Sequence, residues 1–139
     1  MTQWSSDPVT EKKRVRTYQD LTAWQKAFDL CLDVYRATKS FPRAEAYGLS
    51  AQVQRAAVSI PSNIAEGFGR RTTADFLRSL YIAYGSICEV QTQALLAIKL
   101  CYLPDQEAGR LLQSIGDTER LTKALIRALE RKLSSASDT

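Results

Sequence analysis

The sequence predicts an all-α protein: an antiparallel up-down-up-down four-helix bundle with one helix kinked at Pro61. Three observations lead there. Apolar residues recur at steps of three and four along most of the chain, the spacing that places them on one face of a helix. Proline and glycine are scarce, 4 and 6 in 139 residues, too few for the many turns of an all-β fold. The periodic segments are each about 20 to 30 residues long and are joined by short connections, which makes consecutive helices antiparallel neighbours. The length fits one domain with a real core, read as a flexible basic arm at 1–18, a bundle at 19–133 and a disordered tail at 134–139.

The arm is polar and aperiodic and carries Lys12, Lys13, Arg14 and Arg16. Asp20 or Thr22 can cap a first helix that reaches about Lys39. Trp24, Ala27, Phe28, Cys31, Val34 and Tyr35 mark its apolar face, and Pro42 in "SFPRAEAYGL" ends it. A second helix spans about 46–68. Its stripe of Ala56, Ile60, Ile64 and Phe68 keeps one spacing across Pro61, so a single bent helix explains the pattern better than two separate ones. An interior proline costs about 3 kcal/mol, which tertiary packing must offset.

Gly69 suits a left-handed cap at the end of that helix, and Thr72 or Thr73 the N-cap of the next, with Asp75 in its first turn. The third helix, to about Cys101, is apolar on two sides. Phe76, Leu80, Ala83, Ile87, Ala94 and Ile98 form one stripe, and Leu77, Tyr81, Cys88, Leu95 and Tyr102 another. In so small a bundle the second side calls for a partner subunit. Pro104 opens a fourth helix to about Leu133, with Leu111, Ile115, Leu121, Leu125 and Leu129 inward.

Composition narrows the chemistry. The chain has no histidine, which removes the Ser-His and Cys-His nucleophile systems and the usual zinc and iron ligand sets. Cys31, Cys88 and Cys101 have no metal-ligand spacing, and a sparse odd count fits reduced, buried thiols in the cytoplasm. Neither a metal nor a cofactor is expected, no small-molecule substrate is expected, and no catalytic residue is named. The longest apolar segment, 79–100, is broken by Glu89, Gln91, Gln93 and Lys99, so no membrane span is expected. A net charge of +4 makes a polyanion an admissible partner.

Two sets of polar residues remain. Arg55, Ser59, Asn63 and Glu66 share one stripe of the second helix with Gln52 and Arg70. They read as a structural polar network, with Glu89 of the third helix the natural partner of Arg55, because an unpaired buried charge would cost several kcal/mol. The plainer reading is a solvated face. Arg70 and Arg71 precede a helix N-terminus, whose free N–H groups favour an anion; Arg120, Lys123, Arg127 and Arg131 form a ridge on the fourth helix. These six are the nucleic-acid-binding candidates. The alternatives are exposed arginines beside a cap, and late basic residues that complement their own helix dipole.

The stretches "LTAWQKA", "SFPRAEAYGL", "QVQRAAVSIPSNIAEGFGRR" and "YGSICEVQTQ" resemble the bacterial four helix bundle proteins encoded in intervening sequences of 23S ribosomal RNA genes, over about residues 20–100. The resemblance implies an antiparallel bundle that assembles into a ring, a homopentamer, with no enzymatic activity. It also implies similarity to the accessory variability proteins of diversity-generating retroelements, basic pentamers that bind nucleic acid and a reverse transcriptase. Tyr84 departs from the pattern, since relatives often carry a polar or basic residue there. The expected function is a non-enzymatic, homo-oligomeric bundle that binds RNA or an RNA-containing complex. The alternatives are a protein–protein scaffold with no nucleic-acid role and, more remotely, a carboxylate enzyme using Glu66 and Glu89.

Overall fold

The computed structural model describes residues 14–137. Among them are four long helices: α1 (Thr22–Ala37), α2 (Leu49–Phe68), α3 (Thr73–Lys99) and α4 (Asp105–Ser137). Short 3₁₀ turns lie at Tyr18–Asp20, Thr38–Ser40 and Arg43–Glu45. Each helix packs against the next, α1 closes against α4, and α1 and α3 stand on a diagonal.

The cross-helix contacts run antiparallel. Along α1 and α2, the Cys31 thiol meets the Ala57 carbonyl while Thr38 meets Gln54. Along α2 and α3, Ser59 meets Ser86 while Phe68 meets Phe76. Thr118 of α4 donates to the Lys26 carbonyl of α1, and Ser40, just after α1, donates to the Tyr102 carbonyl just before α4. As one helix rises in number its neighbour falls, which gives the expected up-down-up-down order.

α2 runs unbroken through Pro61. Proline lacks the N–H that would bond the Ala57 carbonyl four residues back. The Cys31 thiol of α1 donates to that carbonyl at 2.9 Å, so the vacated acceptor is filled from the neighbouring helix. Ala27 and Ala57, both fully buried, are small enough to fit at this helix pair. At the other end of α2, a Cβ on Gly67 would lie 2.7 Å from Ser79 Cβ and 2.8 Å from Phe76 Cδ1, so only glycine lets α2 and α3 approach this closely.

Several boundaries differ from expectation. The arm is shorter than 1–18: Val15 is buried in the core, and Thr17 caps the 3₁₀ turn that leads into α1. Residues 1–13, with Lys12 and Lys13, lie outside the described residues. Asp20 does not cap α1 but accepts the Arg16 and Thr17 amides. Gly69 is right-handed, with φ −79°, because the α2–α3 connection turns through bonds from the Gly69 and Arg70 amides. The left-handed residue is Cys101, φ 63°, at the end of α3. Residues 134–137, expected in the tail, extend α4.

The core joins all four helices through Leu30, Ile60, Ile64, Leu80, Ile87, Ile115 and Leu129, each at most 1% exposed. Two apolar faces point outward instead. Phe28, Leu32 and Tyr35 of α1 are 41–46% exposed, and Tyr81, Ile82, Leu95 and Leu96 of α3 are 46–53% exposed.

Candidate nucleic-acid interface

The polar stripe of α2 divides into two groups. Ser59 and Asn63 bond within the fold: the Ser59 and Ser86 hydroxyls lie 2.8 Å apart, and Asn63 Nδ2 donates to the Ser59 carbonyl at 2.8 Å and hydroxyl at 3.0 Å. Arg55, Glu66 and Glu89 are exposed. Among the described residues the four ion pairs are each internal to one helix, and none includes these three. Glu89 accepts from Gln93 of its own helix at 3.4 Å, so the expected Arg55–Glu89 pair is not formed within the chain. Both groups reach water, and an exposed pair gains little over solvation.

The six basic candidates also divide. Arg120 pairs with Asp117 at 3.1 Å, and its hydrogen bond is the main reason the Asp117 carboxyl sits below its usual range. Lys123 pairs with Glu119 at 3.4 Å and sits 5.4 Å from the centre of the Tyr84 ring. Bonds to Tyr84 and then Glu119 hold its ammonium above the ordinary lysine range. Tyr84 itself donates to Glu119 at 3.3 Å, which ties this departure from the family pattern to the α3–α4 contact. Arg70, Arg71, Arg127 and Arg131 are exposed and take part in none of the four ion pairs.

The antiparallel order brings those four together at one end of the bundle. That end holds the close of α2, the start of α3, the late part of α4 and the entry of the chain, where Arg14 and Arg16 are also exposed. Tyr81 near the start of α3 donates to Glu130 of α4 at 2.6 Å, and Tyr18 at the chain entry packs edge-on against Trp24 near the start of α1. Thr72 caps α3 by accepting the Asp75 amide at 3.0 Å, which uses one of the amides that an anion would otherwise take. The Arg14 and Arg16 contribution was not singled out from the sequence. The signal was available, because in an up-down-up-down bundle the N-terminus and the late fourth helix share an end.

Two of the cavities lie between neighbouring helices. The larger, about 690 Å³ between α1 and α4, interleaves Lys26, Arg36 and Arg110 with Asp29, Asp33, Glu107 and Asp117, so it offers no face of one sign. The smaller, about 240 Å³ between α2 and α3, is lined by Asn63, Glu66, Arg70, Asp75, Arg78, Ser79 and Ile82. Among the described residues no group of three or more histidine, cysteine or carboxylate side chains is placed to hold a metal ion, and no helix is long and apolar enough to cross a membrane. Burial pushes the Cys31 thiol up to about 11, which keeps it protonated and able to donate to Ala57.

Comparison with curated proteins finds no match. Among solved structures, the chain is similar to a Bacteroides thetaiotaomicron protein of unknown function from the S23 ribosomal protein family. The TM-score is 0.69 at 20% identity, over 76% of this chain and 95% of that one, a likeness of fold. The family model described as 23S rRNA-intervening sequence protein matches residues 19–125, which takes in α1, α2, α3 and most of α4. The chain therefore belongs to the 23S rRNA-intervening sequence protein family.

Proposed function

We propose that this protein is a non-enzymatic, homo-oligomeric bundle of the cytoplasm that binds RNA through the basic end of the fold. The observation that carries the reading is the gathering of Arg14, Arg16, Arg70, Arg71, Arg127 and Arg131, from three separate segments, at one end and outside the intrahelical ion pairs. Exposed cations without acidic partners are the groups that release counterions from a phosphate backbone. Arg120 and Lys123 contribute less, because their charge is already matched by Asp117 and Glu119. The mention of ribosomal RNA in the family's description agrees with this partner class. Three free thiols fit a reducing compartment, and a chain without histidine lacks the commonest general base.

The outward apolar faces support self-association. Phe28, Leu32 and Tyr35 lie on α1, while Ile82, Leu95 and Leu96 lie on the diagonally opposite α3. Two different faces meet head to tail, and such contacts close into a ring when the rotation allows; the family resemblance points to five subunits. The apolar faces also favour the second reading, a protein scaffold without nucleic acid.

Filter binding of a structured RNA across a salt series separates the two. The RNA reading expects binding at low salt that is lost on charge reversal at Arg127 and Arg131; no binding at low salt leaves the scaffold. Light scattering reads the assembly: an oligomer is expected, Leu96→Glu is expected to dissociate it, and a monomeric wild-type protein contradicts the self-association.

A further inference from the structure

The α2–α3 pocket at the margin of the basic end has a composition that a phosphate site would not have. Arg70 and Arg78 face Glu66 and Asp75 across it, so its formal charges cancel. Asp75 already holds Arg78 at 3.5 Å. An anion entering here gains two cations and meets two carboxylates, whereas a neutral ligand with both donors and acceptors finds complements to each. At about 240 Å³ the pocket lies below the range of drug-sized sites and suits a single flat fragment.

Its polar groups are unspent. The Glu66 and Arg70 side chains take part in no hydrogen bond or ion pair within the described residues. Ser79, 8% exposed, also lines the pocket wall. Asn63 uses its amide N–H groups on Ser59, which leaves its oxygen as an acceptor. Ile82, 53% exposed, supplies an apolar wall.

We propose that this pocket receives a guanine base of the bound RNA, an inference that rests on the RNA-binding reading above. Among the four bases guanine alone presents two adjacent donors, N1–H and the 2-amino group, which match the two oxygens of one carboxylate, Glu66. Its O6 and N7 acceptors match a guanidinium in the bidentate geometry that arginine uses for this base. Its face lies against Ile82, as unstacked bases in single strands are held against side chains. The phosphates on either side of the base meet Arg71, Arg127 and Arg131 at the same end of the bundle. Glu66 thus serves the base alone, Arg71, Arg127 and Arg131 serve the phosphates, and Arg70 stands between the two.

The test is fluorescence anisotropy on the full chain at fixed low salt, with an oligouridine, an oligomer of the same length alternating uridine and guanosine, and the same oligomer with inosine for guanosine. The guanosine oligomer is expected to bind about tenfold more tightly than oligouridine, with inosine, which lacks the 2-amino group, between them. Glu66→Gln is expected to remove the preference, with the affinity gained from the lost negative charge shared equally by all three oligomers and the thermal midpoint unchanged. Equal affinity for all three oligomers overturns the base pocket and leaves the RNA reading standing, as does a preference that persists in E66Q. No binding of any oligomer overturns both.

Discussion

Cys101 ends α3 with φ 63°, a conformation that costs an L-residue roughly 1–2 kcal/mol and glycine nothing. The turn there is the glycine-type helix stop: the Tyr102 amide reaches back to the Ala97 carbonyl at 2.9 Å and the Cys101 amide to Ile98. Cys101→Gly is expected to stabilise the fold by about 1 kcal/mol after the entropic cost of glycine, a rise of a few degrees in the thermal midpoint. An unchanged or lower midpoint contradicts the strain. The sequence pointed to a left-handed cap at Gly69 instead, because glycine is the usual signal and cysteine at such a position carries none. Ser59 and Asn63 were identified from their stripe, yet the Ser86 hydroxyl that bonds Ser59 lies 27 residues away, beyond any local pattern.

At the scale of the helices, two contacts explain what the sequence left open. The apolar register across Pro61 showed that α2 continues, but not what fills the acceptor the proline vacates. That is the Cys31 thiol, on another helix. Cys31→Ala is expected to cost about 1–3 kcal/mol, and to cost about 1 kcal/mol less in a Pro61→Ala background, where an amide returns to the Ala57 carbonyl. Strict additivity in that cycle would show that the thiol does not replace the lost bond. The second contact is Glu45, which accepts the Leu49 amide at 3.0 Å and the Tyr102 hydroxyl at 2.8 Å, fastening the start of α2 to the α3–α4 connection. Those bonds, the amide first, lower the Glu45 carboxyl below the usual glutamate range, and the bond to Glu45 raises the Tyr102 phenol above its ordinary range. A depressed carboxyl stabilises the fold above its unfolded value, and that contribution is lost as pH falls through the folded one; a raised phenol stabilises below its unfolded value and is lost as pH rises through the folded one. The stability difference between wild type and Tyr102→Phe in urea is therefore expected at neutral pH and to shrink in acid below the usual carboxylate range. A difference constant with pH contradicts the clasp. The sequence signal was faint: tyrosine instead of phenylalanine near an apolar stripe.

At the scale of the whole molecule, fold and family were largely open to sequence reading, because periodicity, helix stops and four quoted stretches are local. What periodicity could not supply was which charges remain available. Arg120 and Lys123 look equivalent to Arg127 and Arg131 on a helical ridge, yet the first two are matched by Asp117 and Glu119 and the last two are not in those pairs. Nor could spacing show that the Arg55–Glu89 pair stays unmade, since that depended on both side chains reaching water. The exposed faces of α1 and α3 were half anticipated. The double-sided α3 was read from its two stripes, whereas the outward Phe28 and Tyr35 were counted toward the apolar face of α1 and Leu32 was not singled out.

The central claim, that the basic end and not the ridge as a whole meets RNA, is tested most directly by the salt dependence of oligouridine binding. The logarithm of affinity against the logarithm of salt falls by about 0.7 per neutralised phosphate on a single strand. Arg127→Gln with Arg131→Gln is expected to flatten that slope by about 1.4, and Arg120→Gln with Lys123→Gln to leave it nearly unchanged. Equal flattening by both pairs, or a slope that neither pair alters, contradicts the account.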